Sequence, residues 1–310
     1  MARGLVQSIT AWRPRQAIDR TVNLVERLRY RSLWAALASP ENANRQIHGL
    51  LESSQPVLVS RIGFTEGRIV GEYLFRGGRY GRLTRKQCHQ NAGIFPVNDQ
   101  LLHRFAQRYA DALSEVDLLG FWQTTDQARW LSSLPQPPAL VPLSALEPYF
   151  YQQPWTAALA GRRVLVVHPF AATIASQYFQ KRSILFANPA LLPEFELDVY
   201  APPQTLAPST AGYGDWVEAL DDLVSRVLER PFDVALLGCG AYGLPLGAAI
   251  KRDGRKAIHL GGSLQILFGI RGRRWDAFPE FQHFWNDAWV RPSAAETPQR
   301  ANAVDAGCYW

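Results

Sequence analysis

Short apolar runs and longer stretches of helical spacing take turns along this chain. Val57 to Ile62, Val116 to Trp122, Arg163 to Val167, Leu197 to Tyr200, Val234 to Leu237 and the run ending at His259 are all brief. They are too short for helices, and several are followed at once by glycine or a turn, so they read as strands. Between them, apolar residues recur at steps of three and four, as in Ile69, Val70, Tyr73 and Leu74, or Leu101, Leu102, Phe105, Tyr109, Ala112 and Leu113. Helices are therefore expected near Glu41 to Ser53, after Glu66, over Asn98 to Glu115, after Phe170 and over Trp216 to Glu229, the last capped by Asp215.

Strands alternating with helices about six times predict an α/β fold, a doubly wound and mostly parallel sheet of about six strands. Three regions follow from the pattern. Residues 1–54 form an N-terminal helical segment, 55–290 the α/β domain, and 291–310 a polar tail whose closing Tyr309 and Trp310 dock on the body. The proline-bearing loop with Pro135, Pro137, Pro138 and Pro142 is the best place for a hinge or subdomain boundary. No internal repeat interrupts the pattern.

The stretch from Pro231 to Trp275 is the most informative. A strand, a glycine turn, a helix and a second strand make a βαβ unit, and Gly238, Gly240 and Gly243 have the spacing of a phosphate-binding fingerprint. A dinucleotide site would add an acidic residue about 20 positions on, where this chain carries His259. Too little chain follows for the second half of a dinucleotide fold. The glycines equally suit close packing of strand against helix.

Composition narrows the partners. The net charge of +6 and the isoelectric point near 9.4 come almost wholly from arginine, whose planar fork suits phosphate and carboxylate. The arginines are scattered and accompany no nucleic-acid recognition motif, so nucleic acid is not expected. Three distant cysteines, Cys88, Cys239 and Cys308, argue against a disulfide framework or a zinc site and fit a reducing cytoplasm. No apolar run has the length of a membrane span. Residues 1–38 interleave arginines with apolar residues at helical steps. Such a helix either packs on its own domain or makes peripheral contact with an anionic inner membrane surface.

In open α/β sheets ligands bind at the carboxyl ends of the strands. That edge would gather Arg61, Gly63 and Glu66, then His168, then Gly238 and Gly240, then His259 with the Gly261-Gly262 turn. Each has a bland reading beside the functional one. Glu66 suits the first turn of a helix, and each histidine suits a satisfied core position. The basic run Arg76 to Lys86 reads as a glycine-bearing loop, suited to phosphate or an anionic acceptor or simply exposed.

Several blocks together resemble a bacterial family found in capsule and exopolysaccharide gene sets, itself similar to glycosyltransferases of the GT-D fold. They are Ser60-Arg61-Ile62-Gly63 with Glu66; His168-Pro169-Phe170-Ala171 with Gln177, Tyr178, Lys181 and Arg182; and Leu237 to Gly243 running on to His259 and Gln265. The closing Trp289 to Ser293 and Gly307 to Trp310 belong to the same likeness. The resemblance implies transfer of a sugar from a nucleoside diphosphate sugar to a glycan or lipid-linked glycan in the cytoplasm. It implies Glu66 as general base or carboxylate ligand of Mn2+ or Mg2+, although Phe64 stands where that fold's aspartate is expected. It implies a nucleotide-sugar site drawn from Arg61, Gly63, His168, Gln177, Arg182, Gly238, Gly240, Tyr242, Gly243, His259 and Gln265. Arg273 and Arg274 could line it too. The alternatives are a pyruvyl or acyl transferase of polysaccharide modification and a non-catalytic nucleotide- or glycan-binding protein.

Overall fold

A computed structural model describes residues 28–205, 209–298, 301 and 307–310. The N-terminal arginine-rich stretch expected to be helical lies outside the described residues up to residue 27; beyond it comes a short helix α1 (Arg31–Ala35). Next come α2 (Pro40–Glu52), β1 (Val57–Arg61), α3 (Phe64–Arg76), α4 (Arg82–Asn91), α5 (Asp99–Leu113), β2 (Leu118–Phe121), α6 (Thr125–Leu131) and β3 (Ala139–Pro142). The second half runs β4 (Arg163–Val167), α7 (Ala171–Leu185), β5 (Glu196–Tyr200), α8 (Trp216–Leu228), β6 (Val234–Leu237), α9 (Gly243–Arg252) and β7 (Lys256–His259). Three short helices close it: α10 (Leu264–Leu267), α11 (Arg273–Asp276) and α12 (Pro279–Gln282).

All seven strands are parallel and lie in one open sheet, ordered β3-β2-β1-β7-β6-β4-β5. This is the expected α/β architecture with one strand more than the six expected. The extra strand is β3, which occupies the proline-bearing segment expected to be a hinge. It pairs with β2 from Ala139 to Pro142. As an edge strand it tolerates a proline that a central strand would not. The basic run Arg76 to Lys86 is likewise only partly a loop, because α4 starts at Arg82.

Alternate residues of each central strand feed two cores, as a period of two requires. Leu58, Leu165, Ala235, Leu237 and Ala257 face one side, under α3, α5, α6, α8 and α9. Val57, Val59, Val166, Leu236 and Ile258 face the other, under α2, α7 and the 264–289 segment. Fully burying one aliphatic side chain is worth about 1.5–3 kcal/mol, so these two layers dominate the stability.

Polar side chains close the backbone ends that the layers would otherwise leave unsatisfied. Lys256 at the start of β7 donates to the carbonyls of Leu50 (3.2 Å), Leu51 (2.6 Å) and Ser53, satisfying the end of α2. Asp117 accepts from the Leu58 N–H at 2.8 Å and pairs with Lys251 at 2.8 Å. Asp215 accepts from the N–H groups of Val217 (2.8 Å) and Glu218 (2.9 Å) as the cap of α8, and pairs with Arg104 of α5 at 2.5 Å.

Replacing this cap should be measurable. Asp215→Ala removes two accepted amide bonds and one ion pair, and is expected to cost about 1–2 kcal/mol in urea unfolding with an unchanged slope. Burial alone would raise the Asp215 carboxyl, but the Glu218 amide, Arg104 and the Val217 amide outweigh it and hold it below its ordinary value. Its contribution is therefore present above the ordinary carboxylate range and lost as pH falls through the lowered one. The stability difference between wild type and Asp215→Ala should shrink below about pH 4.

Candidate functional site

The strands leave the sheet toward opposite faces in turn. β1 and β6 lead into α3 and α9 on one side, whereas β4 and β7 lead into α7 and α10 on the other. Neighbours β1/β7, β7/β6 and β6/β4 thus diverge at their carboxyl ends, which opens a crevice along the middle of the sheet.

A cavity of about 100 Å³ lies at the β4 and β6 part of this edge. It has room for several waters or one small chemical group. His168, Phe170, the Gly238 to Tyr242 turn, Gln265, Tyr309 and Trp310 are among its walls. The turn is held from behind. Tyr109 of α5 donates to the Ala241 carbonyl at 2.6 Å, Tyr242 stacks on Trp216 at 5.2 Å, and the Tyr242 hydroxyl meets Thr205 at 2.9 Å. Among the described residues no Lys, Arg, Asp or Glu side chain is in the wall. The chemistry on offer is aromatic faces, amides and one imidazole.

That imidazole is His168, 2% exposed. Its Nδ1 accepts from the Phe170 N–H at 3.0 Å, so in the neutral ring the proton sits on Nε2. Burial lowers its pKa to about 3. Burial, then the Arg61 charge, likewise lowers His259 to about 3, and its Nδ1 lies 3.1 Å from the Ser60 hydroxyl. Both rings are neutral at any ordinary pH.

The two histidines account for two of the fingerprint glycines. A Cβ on Gly238 would strike the His168 ring, and one on Gly243 would strike the His259 ring. Gly240, at φ +58°, is the turn residue and has open space where a Cβ would go. The spacing that matches a phosphate fingerprint is thus enforced by packing, and the surface it makes is apolar.

The cation of the edge is Arg61, at the end of β1. Its guanidinium lies over Trp122 at 4.6 Å and beside Gly261, where a Cβ would come within 3.2 Å of it. Among the described residues it makes no hydrogen bond and no ion pair. Burial lowers its pKa from the ordinary value, and Tyr309, Arg274, Glu66 and Glu147 supply the surrounding field.

Glu66 is close in sequence but differently employed. It stands at the third position of α3, and its carboxylate folds back over Gly63, the cap residue, so that a Cβ there would collide with it. This is the arrangement in which a glutamate serves the start of its own helix. It is 8% exposed. Phe64, by contrast, is exposed, with Arg68 over its ring at 4.7 Å. A divalent ion wants several oxygen ligands. Among the described residues no group of three or more His, Cys, Asp or Glu side chains could hold a metal ion, so the donor set at the β1 exit does not fit one.

The remaining sequence-derived residues serve the scaffold. Gln177 donates to the Gly269 (3.3 Å) and Ala288 (2.8 Å) carbonyls, and Arg182 pairs with Glu194 at 3.1 Å while lying over Tyr178. Gln265 donates to the Ile270 and Tyr309 carbonyls, fastening the tail; its buried Oε1 has no partner. The closing aromatics pack on the body, with Trp310 against Phe170 at 6.0 Å and Tyr309 against Trp275 at 6.2 Å.

Three residues near Arg61 escaped the sequence reading as site candidates: Trp122, Glu147 and Tyr149. Recognising Ala139 to Pro142 as a strand would have put the last two just past a carboxyl end. Comparison with family models, with curated proteins and with solved structures returns no match. Among the described residues no helix is long and apolar enough to cross a membrane.

The histidines generate a prediction. Their folded pKa values lie below the ordinary 6.5, so the unfolded chain binds more protons once pH drops under about 6.5. Neither ring should titrate between pH 8 and 5 in nitrogen-detected NMR. Each should withdraw up to about 1.4 kcal/mol of stability per pH unit between pH 6.5 and its folded pKa.

Proposed function

We propose that this chain is a glycosyltransferase-like enzyme that takes a nucleoside diphosphate sugar at the carboxyl edge of its sheet. It passes the sugar to a hydroxyl of a glycan or lipid-linked glycan in bacterial surface polysaccharide synthesis. The observation that carries the ligand class is Arg61, a half-buried guanidinium with neither hydrogen bond nor ion pair among the described residues, on the same sheet edge as an aromatic cavity. A half-buried guanidinium held by a ring and by no anion keeps its N–H donors for another group, and an oxyanion is its natural complement. The cavity suits a flat or neutral part of the ligand, with the His168 Nε2–H as donor. The transfer chemistry rests on the sequence resemblance alone.

In this reading the acceptor oxygen attacks the anomeric carbon and loses its proton to a base. The bond to the diphosphate breaks, and the diphosphate leaves with the electron pair beside Arg61. No step is routed through a metal. Glu66 would have to leave Gly63 to act as the base. That position favours a second reading, a nucleotide- or glycan-binding protein that does not turn over.

Thermal shift with nucleoside diphosphates and their sugars, with and without manganese, tests the ligand class. A ligand at 100 times its dissociation constant stabilises by about 2.7 kcal/mol. The shift should vanish in Arg61→Ala and persist in Glu66→Gln. Donor turnover lost in Glu66→Gln supports the enzyme, whereas binding without turnover in wild type supports the second reading. No shift with any nucleotide overturns the transferase and the nucleotide-binding reading and leaves only the glycan-binding one.

A further inference from the structure

The outer side of α3, α4 and α6 collects cations and apolar side chains together. Phe64, Arg68, Gly71 and Phe75 recur at steps of three and four and so share one stripe of α3. Arg68 lies over the Phe64 ring at 4.7 Å and donates at 2.9 Å to Gln87 of α4, which shares a face of that helix with Leu83. Arg129 of α6 covers Phe75 at 4.3 Å, and these two line an open groove of about 480 Å³ with Arg29, Tyr30, Ser132 and Ser133. Three helices and the segment before α1 are thereby joined into one surface.

The composition of this surface is one-sided. Of the eight large apolar side chains exposed among the described residues, Leu28, Phe64, Leu74, Phe75 and Leu83 belong to these elements, Phe64 at 53% and Leu83 at 56% exposure. Residues 64–91 carry Arg68, Arg76, Arg79, Arg82, Arg85 and Lys86 against two acids, Glu66 and Glu72, and both acids are buried. Glu72 pairs with Arg76 at 3.3 Å and Asp99 with Arg85. Arg29, Arg68, Arg79, Arg82, Lys86 and Arg129 make no ion pair among the described residues. Asp126, an exposed acid on the same helix as Arg129, offsets one of these charges.

We propose that this surface docks on an anionic lipid bilayer. The leucine and phenylalanine side chains enter the boundary of the acyl chains, and the arginine and lysine stems lie along it with their charged ends at the phosphates. The groove between Arg29 and Arg129 seats one phosphate headgroup, with the two serine residues at its wall. A nucleic acid would satisfy the cations but offers nothing to the exposed Leu74 and Leu83. Residues 1–27 of the same chain are a poor occupant, because their five arginines outnumber Asp19 and Glu26 and give them the sign of the surface itself. A second copy brings like charge as well. The Phe64 end of the surface adjoins the β1 exit, so docking holds that part of the crevice near the lipid, but it does not depend on what binds in the crevice.

Vesicle sedimentation with the full chain tests this. Binding is expected to phosphatidylglycerol vesicles and not to pure phosphatidylcholine ones. It should fall as salt rises, since the screening length shrinks from about 10 Å at 0.1 M to about 3 Å at 1 M. A cation at an anionic surface is worth about fivefold in partitioning, so Arg79→Gln, Arg82→Gln and Lys86→Gln together should weaken binding about hundredfold, and Arg129→Gln alone about fivefold. Leu83→Ser should weaken it about tenfold with every charge kept. All these side chains are exposed, so the melting curves should stay native. A control triple, Arg108→Gln with Arg226→Gln and Arg252→Gln, removes the same charge from exposed positions on α5, α8 and α9 and should cost far less. A control loss as large as the first, or vesicle binding untouched by the first triple, overturns this surface. Absence of binding to phosphatidylglycerol vesicles overturns it too. Retention by a single-stranded oligonucleotide instead of vesicles, lost in the same triple, reassigns the surface to nucleic acid and overturns the bilayer.

Discussion

A parallel sheet covered on both faces constrains everything else in this molecule. Its central strands bury alternate side chains in two separate cores, so neither face can be exposed and every connection must cross over a helix or a long turn. All seven carboxyl ends therefore emerge at one edge. Because β1, β7, β6 and β4 send their chains alternately to the two faces, that edge cannot close over. The crevice follows from topology before any side chain is chosen.

What fills the crevice shows two competing demands on the same residues. Gly238 and Gly243 are needed because imidazoles of β4 and β7 lie against their Cα atoms. A strand end that must turn sharply beside a buried ring has glycine as its only ordinary solution. His259 then joins β7 to β1 through Ser60, and His168 orders its own turn through the Phe170 amide. The neutral state of both rings is what makes this affordable in a low-dielectric place. The same residues that looked like ligand groups are thus first of all part of the sheet edge. Of the two rings, only His168 also lines the cavity.

The fold was readable because its signals are local. Six of the seven strands contain short apolar stretches that end near turns, and Asp215, ahead of its helix, shows the side-chain capping that its position promised. β3 was hidden because it is an edge strand with prolines around it, a composition that also describes a loop. The site was less readable. Nearness in sequence suggested that Arg61 and Glu66 act together, yet the helix that begins at Phe64 folds the Glu66 carboxylate over Gly63 while Arg61 faces Trp122 and Gly261. Gln177 and Arg182 sit on a helix whose first residue adjoins the crevice but whose later turns run away from it, along the 194 and 269 segments. The partners of Arg61 come from the far side of an unrecognised strand, a long-range relation that periodicity does not encode.

The charge distribution points the same way. Arginines elsewhere in the described chain are mostly paired, as Arg104 is with Asp215, Arg108 with Asp221 and Arg163 with Asp233. These pairs lie near the surface, where solvation makes each worth little. Arg61 is the opposite case: more desolvated than any of these, it has an aromatic face and no carboxylate in bonding range. Solvation and pairing could both have been supplied by a neighbouring acid. Glu66 stands in its field yet turns toward Gly63, and Glu147 remains at a distance, inclined by burial to lose its charge. Arg61 is therefore held at the sheet edge by its stacking on Trp122 and not by an ion pair among the described residues, unlike the surface arginines.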